Sequence, residues 1–215
     1  MGCFISEGGS VTDHDIFEAG VVEHLRTTGW TVPASMTYHD ALAQQHVRGI
    51  AARKDPTSRA IRGQADLIAY VDDAELSTRV EIKTVGPRHR NLAVELFALC
   101  EHLYRSRMGC HCVYAVRHLA GGSEYGFHVD DALVDAIEAV HVPGQLSARE
   151  MFQLVEWTGD ALGRVEYVRK PDLTRGSGTP FVLINAARLA RFREWPDEFE
   201  TLKEIRMEGV IHATN

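Results

Sequence analysis

The sequence predicts one mixed α/β domain, and three observations carry that reading. A helix-type repeat at residues 13–28 precedes two strand-like runs, 65–71 and 79–85, joined by the acidic turn "DDAE". A strongly periodic segment, Asn91 to Arg107, then leads to the apolar run "CHCVYAV", which reads as a buried strand. At 215 residues, with 45% hydrophobic and 25% charged residues, the chain can fill one good core, and interleaved helices and strands fill it as packed layers.

The first helix runs from Asp13 to Thr28, with Thr12 or Asp13 as N-cap and Gly29 as its stop. "WTVPAS" is a short strand or extended piece. Residues 37–63 contain proline, glycine and a basic cluster, and read as a long, partly irregular insertion. The two charged strands follow, then the helix 91–107, ended by Gly109. Beyond "CHCVYAV", the run "YGFHV" is a further strand, "DDALVDAIEAV" a helix, and "SAREMFQLVEW" another helix or a helical turn. "GRVEYVRK" and "TPFVLI" are strands, and "NAARLARFREW" is helical. No internal repeat or low-complexity segment interrupts this order.

Composition narrows the function classes. No run of about 18 apolar residues exists, so no membrane span is expected. The start, MGCFISEGGS, has neither a basic region nor a long apolar stretch, so a secretory signal is not expected and the chain reads as cytoplasmic. Met-Gly-Cys resembles the start of a lipidation signal, but no polybasic segment follows it. Cys110-His111-Cys112 could offer two ligands from one strand face, yet no second Cys pair completes a zinc site, so Cys3, Cys100, Cys110 and Cys112 read as structural thiols. "RGSGTP" lacks the Gly-Lys-Ser/Thr ending of a phosphate-cradling loop.

The net charge of −7 argues at first against a nucleic-acid partner, but it is unevenly spread. Residues 1–120 carry 13 Lys+Arg against 14 Asp+Glu, whereas residues 121–215 carry 10 against 16. Between Val47 and Gly63, Arg48, Arg53, Lys54, Arg59 and Arg62 face only Asp55. Such a loop can bind phosphates on an acidic protein, or it can be a solvated surface.

The charges inside the two strands need a reason. Side chains alternate along a strand, so Glu81 and Lys83 share one face while Val80 and Ile82 share the other. Asp66 interrupts the apolar run before them. In the first helix, at about 100° per residue, Glu18 falls inside the apolar stripe formed by Ile16, Phe17, Val21, Leu25 and Val22, between Leu25 and Val22, whereas Glu23 falls opposite. A carboxylate in a core-facing stripe needs a partner: His14 one turn earlier, an arginine, or a metal. Carboxylates on adjacent strands with a lysine suit a hard cation such as Mg²⁺, with Mn²⁺ as a substitute. Such an ion activates water and stabilises charge at a phosphate, and the lysine serves the nucleophile or the transition state.

"GQADLIAYV" followed by "RVEIKTV" resembles the Asp-bearing strand and the Glu-x-Lys strand of the PD-(D/E)XK nuclease superfamily. "EAGVVEHLRTTGW" is similar to that family's leading helix, where a Glu precedes a Leu and then Gly-aromatic, which selects Glu18. Ala65 replaces the usual proline, and the likeness covers about residues 13 to 117. The resemblance implies a restriction-endonuclease-like fold, a mixed β-sheet flanked by helices. Residues 1–120 would be the catalytic core, with the basic insertion at 37–63, and residues 121–215 an elaborated C-terminal half packed on the same domain. It also implies Mg²⁺-dependent cleavage of DNA: Asp66, Glu81 and the Ile82 carbonyl as metal ligands, and Lys83 and Glu18 as catalytic partners; the charge of the insertion makes Arg53, Lys54, Arg59 and Arg62 the expected nucleic-acid contacts. Glu95 and His102, aligned with Asn91 on one edge of the second helix, would be auxiliary or simply a solvated edge. A homodimer is compatible with the sequence, as is a catalytically silent member serving as a nucleic-acid-binding or assembly module.

Overall fold

Thr12 starts α1 (Asp13–Thr27) with a capping box. The Asp15 amide donates to the Thr12 hydroxyl at 3.2 Å, and the Thr12 amide donates to the Asp15 carboxylate at 2.7 Å. At the other end Gly29 takes φ +88°, a conformation open to glycine, so that the amides of Gly29 and Trp30 reach back to the carbonyls of Arg26 and Leu25. The computed structural model describes residues 12–33, 65–71, 76–139, 181–185 and 192–213. The basic insertion with Arg53, Lys54, Arg59 and Arg62, the turn "DDAE", and the runs "SAREMFQLVEW", "GRVEYVRK" and "RGSGTP" lie outside the described residues.

Four strands, β1 (Leu67–Val71), β2 (Leu76–Val85), β4 (His111–His118) and β5 (Ser123–His128), form a mixed sheet in the order β1-β2-β4-β5. β1 is antiparallel to β2, β2 is parallel to β4, and β4 is antiparallel to β5. A parallel neighbour requires a crossover, and α2 (Leu96–Arg107) supplies it. One sheet face packs Leu67, Ala69, Val80, Ile82, Val113 and Ala115 against Phe17, Val21 and Leu25 of α1. Trp195, Phe199 and Leu202 of α4 (Trp195–Ala213) join the same cluster. The opposite face packs Cys112, Tyr114, Val116 and Phe127 beneath Leu99 and Leu103 of α2 and Leu133 and Val134 of α3 (Asp131–Ala139). β4 is therefore covered on both sides, which is why its sequence is almost continuously apolar. Each large side chain so buried contributes about 1.5–3 kcal/mol.

Three elements differ from the sequence expectation. Residues 92–95 do not begin the second helix; they form β3 (Leu92–Glu95), which pairs antiparallel with β6 (Phe181–Ile184) as a separate two-stranded sheet. Leu-Ala-Val-Glu satisfies either periodicity, and the distant partner strand decides between them, with Leu92 and Val94 buried in alternation. In "NAARLARFREW", Phe192 to Glu194 are extended rather than helical, because the Arg193 carbonyl accepts the outward-facing Gly126 amide at 2.8 Å. The helix begins only at Trp195, with Pro196, Asp197 and Glu198 in its first turn, a stretch for which no element was expected. Its buried residues, Trp195, Glu198, Phe199 and Leu202, follow helical spacing. α4 comes so close to β5 that a Cβ on Gly126 would lie 2.7 Å from the Trp195 Cα. Among the described residues, no helix is long and apolar enough to cross a membrane.

Candidate active site

Strand register brings the charged residues together. Leu67 pairs with Val80, so the next step outward sets Asp66 beside Glu81, on the face opposite Val80 and Ile82. Asp66 lies just before the first ladder pair of β1, and its Oδ2 accepts the Ile82 amide at 2.7 Å. The side chain thus satisfies a β2 donor where the strand partner has ended. In a strand the amide and carbonyl of one residue point to the same side, so the Ile82 carbonyl also faces Asp66. Lys83 projects from the same face as Glu81. Its ammonium lies 2.6 Å from Glu81 Oε1 and 3.7 Å from Asp66 Oδ2. Asp66, Glu81, Ile82 and Lys83 therefore meet at one end of the β1–β2 pair.

Burial and charge define what this cluster can do. Burial, aided by the charge of Glu81, pushes the Asp66 carboxyl above its ordinary value of 3.8, against the opposing pull of Lys83. Burial alone would lower Lys83, but Glu81, Asp66 and Glu95 outweigh it and hold the ammonium above its ordinary range. Three carboxylates thus act on one lysine. Glu81 is only 7% exposed, and its Oε2 is buried with no hydrogen-bond partner among the described residues. A buried anionic oxygen without a donor is costly in the ion-free protein. An all-oxygen donor set with a surplus of negative charge fits a hard divalent cation such as Mg²⁺. Among the described residues no three His, Cys, Asp or Glu side chains are already gathered as a cation site; the Lys83 ammonium stands between Asp66 and Glu81.

Glu18 lies less deeply on α1 than the helical arc suggested. The buried stripe of α1 is Phe17, Val21 and Leu25; Glu18 flanks it, with its side chain 39% exposed, and Ile16 is 54% exposed. Its carboxylate lies 3.9 Å from the His14 imidazole one turn earlier, and the charge of His14 in turn acts on Asp66. The His14 contact foreseen as one alternative is thus present. Glu23 is exposed. If the chain is the metal-dependent nuclease that the sequence resemblance implies, Glu18→Gln should lower cleavage about tenfold or more, whereas Glu23→Gln should leave it within about twofold. Equal losses in a side-by-side cleavage assay contradict the assignment.

Glu95 and His102 do not share a helix edge. Glu95 ends β3 and caps α2 without a side-chain capping bond, and its carboxylate acts on Lys83. His102 is fully buried rather than solvated, with its Nδ1 3.1 Å from the hydroxyl of Tyr114. Tyr114 pairs in register with Glu81, and burial, then the Glu81 charge, pushes its phenol well above the ordinary range. His102 therefore stands behind Glu81, with Tyr114 between. No motif announces Tyr114, because its place beside Glu81 follows only from the parallel register of β2 and β4. Of the thiols, Cys112 is buried and Cys100 and Cys110 are half-buried. The chain matches no protein-family model and no curated protein.

Proposed function

We propose that the chain is a metal-dependent nuclease that hydrolyses phosphodiester bonds in DNA. The observation that carries this reading is the buried Oε2 of Glu81, which has no donor among the described residues and is set among Asp66, Lys83 and Glu95. The spacing of Asp66, Glu81 and Lys83, with its likeness to the PD-(D/E)XK pattern, supports the same reading. Asp66 and Glu81 would hold the ion, with the Ile82 carbonyl on the same side. Once bound, a divalent ion supplies Lewis-acid polarisation of the phosphate and a water of lowered pKa.

The remaining work falls to the chain's own side chains. Lys83 presents a compact ammonium where charge builds on the phosphate oxygens, and its stem, one-third exposed, has room to swing away from Glu81. Glu18, steadied by His14, orients the attacking water from α1. Tyr114 and His102 fix the floor beneath Glu81. Water contributes its oxygen to phosphorus and gives up a proton to solvent, the bond to the leaving strand oxygen breaks, and that oxygen takes a proton back from solvent to leave as a hydroxyl. The basic insertion with Arg53, Lys54, Arg59 and Arg62 would add phosphate contacts. The test is cleavage of labelled single-stranded, duplex and branched DNA with Mg²⁺, Mn²⁺ or EDTA. Ion-dependent products that disappear in Glu81→Gln support the reading; no product on any form, with either ion, contradicts it.

A further inference from the structure

The face that carries Glu81 and Lys83 is covered unevenly. On β4 it is closed: Cys112, Tyr114 and Val116 are buried in the cluster beneath α2. On β1 and the first half of β2 it is open. There Leu67, Ala69, Thr78 and Val80 point into the core, while Ile68 is 52% exposed, Ser77 is exposed, and Tyr70 and Arg79 are half-buried. Ile68 sits directly opposite Arg79, and Tyr70 is its diagonal neighbour across the strand pair. Among the described residues the helix layer therefore stops at Glu81, and a ledge of Ile68, Tyr70, Ser77 and Arg79 continues from the carboxylates.

We propose that this ledge holds a single-stranded segment of DNA running up to the scissile phosphate; the inference rests on the nuclease reading above. Arg79 lies two residues from Glu81 on the same face, an advance of about 7 Å, close to the reach from one backbone phosphate to the next in an unstacked strand. A guanidinium at that spacing meets a phosphate next to the reacting one. An exposed isoleucine and a tyrosine give unstacked bases an apolar and aromatic bed, which suits a single strand because every base has a π-face. A duplex keeps its bases stacked and would leave Ile68 and Tyr70 without a contact. An exposed apolar side chain standing singly is ordinary. Here it is continuous with the carboxylates and paired with a cation.

The test separates the ledge from the chemistry. Binding of a labelled 20-mer of thymidine and of a 20-base-pair duplex is followed by fluorescence anisotropy in EDTA across a salt series. The parent, Arg79→Gln, Ile68→Asp and the milder Ile68→Thr are compared, each checked by its melting curve. The parent should prefer the single strand. Arg79→Gln should weaken that binding roughly tenfold and lower the salt slope by about 0.7, the value of one phosphate contact on a single strand. Ile68→Asp should weaken it at least as much, and Ile68→Thr by about threefold. Cleavage is scored separately with Mg²⁺ and Mn²⁺. If these variants lose single-strand binding while the parent cuts nothing, the ledge stands and the nuclease reading falls. If the parent cuts DNA but folded variants bind the 20-mer as it does, or the parent prefers the duplex, the ledge is overturned and the nuclease reading stands. A shift of Ile68→Asp from dimer to monomer, with no DNA effect, overturns it in favour of self-association.

Discussion

Asp66→Asn is expected to abolish cleavage, by roughly a thousandfold or more, while leaving the metal-free protein at least as stable as the parent. The two halves of this result have different causes. Cleavage fails because one of two carboxylates able to hold the ion is gone. Stability survives because an asparagine oxygen can still accept the Ile82 amide, which Asp66 Oδ2 accepts at 2.7 Å, and because Lys83 keeps its closer partner Glu81 at 2.6 Å. The ionised aspartate is the disfavoured form here, since burial and the Glu81 charge raise its carboxyl above 3.8. In the pH window just above 3.8 the folded parent binds more protons than the unfolded chain, so its stability falls as pH rises through the raised value. The variant lacks this dependence, and its advantage should shrink as pH falls towards 4. Mg²⁺ at a hundredfold excess over its dissociation constant should stabilise the parent by about 2.7 kcal/mol, or several degrees of melting temperature, and the variant far less. Thermal melts with and without Mg²⁺, at two pH values, check all of this. A large loss of metal-free stability in Asp66→Asn, with no Mg²⁺ shift in either protein, makes Asp66 a structural partner.

Lys83→Gln is expected to lower cleavage by about 10²–10³-fold and, unlike Asp66→Asn, to destabilise the metal-free protein. Glu81 is buried and holds Lys83 at 2.6 Å, so losing the ammonium strands a charged acceptor at a cost of about 1–3 kcal/mol. Because Glu81, Asp66 and Glu95 hold the ammonium above its ordinary range, its contribution is fully present below pH 10.5 and fades as pH rises through the raised value. The stability gap between parent and variant should thus be level from neutral pH to about 10 and close above it. The variant also removes the cation that stands between the two carboxylates, so Mg²⁺ should raise its melting temperature more than the parent's. An equal or smaller Mg²⁺ shift in Lys83→Gln contradicts competition between lysine and ion.

The opposing effects expected at Asp66 and Lys83 turn on features with different visibility in the sequence. The shared face of Glu81 and Lys83 is a local property, because the two-residue period of a strand is independent of what packs on it. The helix ends at Gly29 and Gly109 were readable for the same reason: each needs only a residue tolerant of positive φ. Glu95 was not readable. Leu92 to Glu95 could have been a first helical turn, and their pairing with Phe181 to Ile184 depends on strands far apart in the chain. His102 lay at the polar edge of a helical wheel, yet the Tyr114 hydroxyl gives its ring a buried partner. That contact exists only after β4 docks under α2. The stripe of Trp195, Phe199 and Leu202 had helical spacing, but the extended Arg193 just before it, held by Gly126, is set by tertiary contact. Glu18 lay close enough to the apolar arc to be singled out, while its partial exposure reflects how α1 is rotated on the sheet.

On the proposed reading, Asp66 and Glu81 form an ion site that Lys83 keeps closed in the ion-free protein. A crystal of the protein soaked in Mn²⁺ and measured at the manganese absorption edge tests it most directly. An anomalous peak is expected roughly 2.1 Å from carboxylate oxygens of both Asp66 and Glu81, near the oxygen–Mg²⁺ distance. The Lys83 ammonium should have moved off Glu81. A map with no peak there, and with Lys83 still bridging the two carboxylates at saturating Mn²⁺, contradicts it.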